Sequence, residues 1–191
     1  MRGSPALVAL LVLAGCGLLP PAPAEVTELA PDLHLEAPDG PIVVLGRGQL
    51  AELSWEAVAY RSRNGDVCTY QVVDELGNGG GCGPVPADGA VFGPIGATPV
   101  ANGWVIVDAV LSGDVRRVRI ETDGEPFEAD VVSLTAIGVE VTGFAIALAD
   151  GREPTALVAL DAGGSVLERF ELLPLQPRPG APGAVPTPAS P

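Results

Sequence analysis

The sequence contains no lysine. Its ten basic residues are all arginine, set against 24 acidic residues, and the net charge is −14. A domain this acidic does not hold a nucleic-acid backbone, because that affinity comes from neutralising phosphates. Without lysine there is no Schiff base and no lysine clamp on a phosphate. The single histidine, His34, sits among prolines. A Ser–His–Asp or Cys–His arrangement would have to recruit it from there. Aromatic residues make up only 4% of the chain, few for a sugar-binding cleft.

The chain is instead rich in turn formers, with 25 glycines and 20 prolines among 191 residues. That excludes a helical bundle. Hydrophobic residues at 47% and charged residues at 18% exclude a disordered polyampholyte.

The N-terminus carries Arg2, then an apolar run Ala6–Ala14, then Gly15-Cys16. The run is far shorter than the ~20 residues a membrane-spanning helix needs, but it fits a signal peptide. Leu13-Ala14-Gly15-Cys16 resembles the lipobox of bacterial lipoproteins. The resemblance implies cleavage before Cys16 and a diacylglyceryl group on its thiol. Removing residues 1–15 also removes Arg2 and leaves the remainder one unit more acidic. Two or three acyl chains suffice for stable anchoring. Anionic headgroups repel such a domain, so it is expected to stand off the membrane on its tether.

Composition divides the rest. Residues 16–41 read as the lipidated cysteine and an acidic, Pro-rich tether. Residues 174–191, with Pro174, Pro177, Pro179, Pro182, Pro186, Pro188 and Pro191, read as a disordered Pro-rich tail. Pro174 and Pro177 also form a Pro-x-x-Pro element, a sequence that composition alone produces often. Residues 42–173 form one domain of short β-type runs cut by Asn64-Gly65, Asp123-Gly124, Asp150-Gly151 and Gly163-Gly164. Later strands are expected near 139–149, 155–161 and 165–173. Phe144, Ile146 and Leu148 alternate with Ala145 and Ala147, as in a strand covered on both faces. The pattern predicts an all-β, antiparallel, immunoglobulin-like β-sandwich with disordered Pro-rich flanks.

Two hairpins can be read by register. With Asn64-Gly65 as a two-residue turn, Arg61 faces Cys68, Ala59 faces Tyr70 and Ala57 faces Val72. One face then collects Trp55, Ala57, Ala59, Cys68, Tyr70 and Val72, and the other is mixed. With Asp123-Gly124 as a two-residue turn, Ile120 faces Phe127 and Val118 faces Ala129. On the opposite face Arg119 meets Glu128 and Arg117 meets Asp130. Apolar pairs on one side and opposite charges on the other are the marks of a half-buried pair. Arg116, Arg117 and Arg119 therefore read as a solvated sheet face rather than an anion site.

Three cysteines leave an even pair once Cys16 takes lipid. Cys68 and Cys82 have one pairing open to them, and an exported chain sits where disulfides persist. The bridge is expected to pin the glycine segment Gly77–Gly81 over the core. Two cysteines and a remote histidine cannot fill a tetrahedral zinc site, and the spacing is not Cys-x-x-Cys.

The run Trp55-Glu-Ala-Val-Ala-Tyr60-Arg61-Ser62, then Gly65-Asp66-Val67-Cys68 and Gly81-Cys82-Gly83, resembles a pattern in uncharacterised exported proteins of high-GC bacteria. Val115–Val131 and Phe144–Leu160 are similar to their downstream half. The resemblance implies a β-sandwich and a disulfide, and supplies no activity.

Carboxylates are the only abundant reactive groups. Paired carboxylates can hydrolyse glycosides, but no pair stands out by an apolar environment. Asp123, Glu125, Glu128 and Asp130 crowd one turn, yet no Asp-x-Asp-x-Asp-Gly loop is present. Since Glu128 and Asp130 face arginines, only Asp123 and Glu125 remain as weak metal candidates. No metal or other cofactor is expected. The sequence predicts a lipid-anchored protein of the extracytoplasmic membrane face, non-catalytic, serving as a binding or accessory module. Its expected partners are the membrane, through the anchor, and an envelope protein. The alternatives are a carboxylate-dependent secreted hydrolase and a structural spacer.

Overall fold

A computed structural model of the chain describes residues 25–27, 37–74, 77–100, 103–148 and 151–175. Residues 1–15, expected to be a signal peptide, lie outside the described residues, as do Cys16, His34 and the stretch beyond residue 175. Among the described residues, thirteen strands build three antiparallel sheets. The first sheet is a plain meander of β1 (Glu25–Thr27), β2 (Pro38–Leu50), β3 (Leu53–Ser62), β4 (Val67–Val73) and β5 (Gly77–Gly83). The stretch 16–41, read as a tether, thus contributes β1 and the start of β2. The second sheet contains β6 (Phe92–Pro99), β7 (Val105–Ser112), β10 (Val132–Ser133) and β11 (Val141–Leu148), in the order β10-β11-β7-β6. The third contains β8 (Arg117–Thr122), β9 (Phe127–Asp130), β12 (Pro154–Leu160) and β13 (Val166–Glu171), in the order β13-β12-β8-β9. The described residues include a 3-10 turn, Thr135–Ile137.

The expected antiparallel all-β sandwich is what forms, with a third layer beyond the two of an immunoglobulin domain. The second sheet lies in the middle. Its Ile106, Val110 and Val141 pack on Val43, Leu45, Trp55, Ala57 and Ala59 of the first sheet. Its Val107, Ala109, Leu111, Phe144 and Leu148 pack on Val118, Ile120, Leu157 and Ala159 of the third. Burying each large aliphatic or aromatic side chain contributes roughly 1.5–3 kcal/mol. A sheet covered on both faces reads as a continuous apolar run, and β7 does so. The double-sided burial expected for β11 is observed. Where β2 crosses β11 the backbones nearly touch, since a Cβ on Gly46 would sit 2.5 Å from the Ala145 carbonyl oxygen.

The register of β8 and β9 is the one read from sequence: Arg117 opposite Asp130, Val118 opposite Ala129, Arg119 opposite Glu128, Ile120 opposite Phe127. The ion pairs are displaced by one step. Arg117 bonds Glu128 at 3.0 Å rather than Asp130, and Arg119 approaches Glu121 at 3.8 Å.

The register of β3 and β4 is shifted by one residue from the expected one. Tyr60 faces Cys68, Val58 faces Tyr70 and Ala57 faces Gln71. The turn has three residues, Arg63 to Gly65, closed by Ser62 N–H to the Asp66 carbonyl at 2.8 Å. Gly65 takes φ +90°, a left-handed conformation that completes the turn. Asp161 N–H to the Ser165 carbonyl at 3.0 Å closes the same kind of turn, with Gly164 at φ +81°. The one-residue shift moves Cys68, Tyr70 and Val72 to the opposite face from Trp55. That face is apolar too: Ile42, Val44, Val58, Tyr60, Cys68 and Tyr70 are buried there.

Candidate functional site

Cys68 and Cys82 form the disulfide, from directly opposed positions on β4 and β5. The glycine segment is therefore not a loop over the core. It is an edge strand, and the bridge ties it on the face away from the middle sheet. Glycine weakens a strand unless something needs the space. Here β6 does. A Cβ on Gly79 would lie 2.8 Å from the Thr98 hydroxyl, and one on Gly83 would lie 3.0 Å from Pro94. At Gly79 and Gly83 the edges of two sheets meet too closely for side chains.

Beneath that edge lies a buried polar cluster. Asp108, on β7, is wholly buried and accepts a hydrogen bond from the side-chain amide of Gln71 on β4. Thr69, also buried, is its second partner. Burial pushes the Asp108 carboxyl above the usual carboxylate range, against the opposing effect of the Thr69 and Gln71 hydrogen bonds. A Cβ on Gly96 would come within 2.6 Å of the Asp108 carboxylate, so the neighbouring strand must carry glycine there. This group clamps two sheets together and faces amide and hydroxyl groups. Its signal in the sequence is a lone acid inside the apolar run Val105–Leu111, too little to mark the residue before the surrounding layers are known.

A groove of about 440 Å³ opens at the end of the first sheet, lined by Arg47, Gly48, Ser54, Trp55, Glu56 and Asp74 among others. Arg47 stands 4.0 Å from Glu56. The Ser54 hydroxyl and amide both donate to the Asp74 carboxylate. Asp74 thereby fixes the start of β3.

Asp123 and Glu125, the weak metal candidates, are exposed at the tip between β8 and β9. The tip is organised by other groups. The Thr122 hydroxyl and the Arg152 guanidinium both donate to the Glu125 carbonyl, and Arg152 lies 5.0 Å from the Phe127 ring centre. Among the described residues no three His, Cys, Asp or Glu side chains gather as a metal site would require.

The third sheet ends in β13. Val166 (57% exposed), Leu167 (39%), Phe170 (40%) and Leu173 (86%) are the exposed large hydrophobic residues of the described chain, and all lie on or just past this one edge strand. On its inner face Phe170 sits 5.7 Å from Phe92. On its outer face Arg169 binds Glu121 at 2.7 Å and also pairs with Glu171. The strand expected near 165–173 is observed, but its exposure is not legible in the sequence, because nothing local marks the last strand of a sheet.

Comparison of the chain with protein-family models, with curated proteins and with solved structures finds no match. Among the described residues no helix is long and apolar enough to cross a membrane.

Proposed function

We propose that the chain is a lipid-anchored, extracytoplasmic lipoprotein. It serves as a non-catalytic binding module whose contact strand is β13. The observation that carries the binding role is the concentration of exposed Val166, Leu167, Phe170 and Leu173 on a single sheet edge. An edge strand presents unpaired backbone donors and acceptors, and apolar side chains beside them mark an interaction site. The anchor rests on the lipobox-like Leu13-Ala14-Gly15-Cys16. The Cys68–Cys82 disulfide supports export, since such bridges persist in oxidising compartments.

The test is crosslinking in living cells, with adducts identified by mass spectrometry. Photo-crosslinkers are needed because the chain has no lysine. The anchored protein is expected to incorporate labelled fatty acid and give a defined adduct, and Leu173→Asp is expected to lose that adduct. Cys16→Ala is expected to lose both the label and the membrane fraction. Unchanged labelling in Cys16→Ala overturns the anchor, and an adduct indifferent to Leu173→Asp overturns the contact strand.

A further inference from the structure

The partner of β13 can be specified from its own backbone. Leu172 donates its amide to the Thr155 carbonyl at 2.9 Å. By strand alternation Leu172, Phe170 and Glu168 turn their backbone groups toward β12. Arg169, Glu171 and Leu173 turn theirs to the side of β13 that no described strand pairs, whereas a bulge between Val166 and Glu168 takes Leu167 out of this alternation. An antiparallel partner pairs outward residues with outward residues. If the partner is another β13, only arrangements with a residue on the two-fold axis satisfy this, and those with Glu168 opposite Arg169 are excluded.

Past the bulge four centres lie within the strand, and one at Glu171 opposes two carboxylates. A centre at Glu168 opposes two carboxylates, and a centre at Arg169 opposes two guanidinium groups. A centre at Phe170 differs in kind. Phe170 meets Phe170, and Arg169 meets Glu171 twice. Opposite charges are matched, and the interface is isologous.

We infer that a second copy of this chain docks on the open edge of β13, antiparallel, with Phe170 on the two-fold axis. The two third sheets become one continuous sheet of eight strands. The inference rests on reading β13 as the contact strand and names that strand's partner.

The full anchored chain tests it in two ways. Phe170→Cys is expected to give a disulfide-linked species of twice the chain mass under mild oxidation, because residues opposed in this way bring their Cα atoms within disulfide reach. Glu168→Cys, offset along the strand from its own copy, is expected to give none. Crosslinking at position 168 or at Arg169→Cys in place of 170 overturns the register. Arg169→Glu is expected to weaken self-association at least tenfold, and Arg169→Glu with Glu171→Arg is expected to restore it. Failure of that rescue also overturns the register.

A photo-crosslinker at exposed Leu173 separates the identity of the partner from the choice of contact strand. An adduct between copies supports the inference. An adduct only with a different protein overturns the inference and leaves the contact strand standing. No adduct overturns both. A thermal melt matching the parent establishes that each variant is folded.

Discussion

The Gln71 side-chain amide donates to the Asp108 carboxylate across the junction between the first and second sheets, and both residues are wholly enclosed. Enclosure disfavours the charged form, so the folded state holds the Asp108 proton more tightly than the unfolded chain does. The stabilising effect of that proton is fully present below the ordinary carboxylate value. It is lost as pH rises through the higher folded value. Asp108→Asn, which carries no charge, is therefore expected to be more stable than the parent at neutral pH. Denaturant unfolding of both proteins between pH 4 and 8 measures it. A gap that does not widen with rising pH refutes the account.

Glu121 has the opposite sign. Arg169 hydrogen-bonds its carboxylate at 2.7 and 3.2 Å and holds it below the usual carboxylate range. Its contribution is present above the ordinary value and disappears as pH falls through the lowered one. The pair is largely solvent-exposed, so a double-mutant cycle with Glu121→Gln and Arg169→Met is expected to give about 0.2–1 kcal/mol, reduced by salt. A coupling unaffected by 1 M salt would contradict this.

Reducing the Cys68–Cys82 bridge, or replacing Cys68 by Ser, is expected to cost about 3 kcal/mol, the chain-entropy value for a loop of this size. The effect is local as well as global. Amides of β5 are expected to exchange faster with solvent while those of β7 and β11 keep their rank. Hydrogen exchange read by mass spectrometry checks it, and uniform acceleration would mean that β5 is not an independent edge.

Two glycine substitutions separate close approach from mere flexibility. Gly46→Ala drives a methyl group into the Ala145 carbonyl and is expected to cost several kcal/mol or to prevent folding. Gly81→Ala meets nothing within 4 Å and is expected to change stability by less than about 0.5 kcal/mol. Thermal melts of the two variants decide it.

The legibility of this fold in its sequence follows from contrast between faces. The β8–β9 register was readable because charges fall on one side and Val118, Ile120, Phe127 and Ala129 on the other. The β3–β4 register was not, because Tyr60, Cys68 and Tyr70 are as apolar as Trp55, Ala57 and Ala59. A one-residue slip then still gives an acceptable face, and only the turn length decides it. Asn64-Gly65 suggests two residues, but the chain includes Arg63 and lets Gly65 alone take the left-handed position. The glycine strand looked like a loop because its reason lies on β6, far away in sequence. Asp108 and the exposed edge of β13 were hidden for a related reason. Each takes its meaning from which layers happen to surround it.

The middle layer has a mechanical consequence. Neither outer sheet can peel away without wetting one side of the middle one, so separating the layers is costly. Loss of the three-layer core is therefore expected to proceed as one event rather than sheet by sheet. A pull applied at either end of the chain enters through an outer layer and is borne by the apolar contacts that join it to the centre.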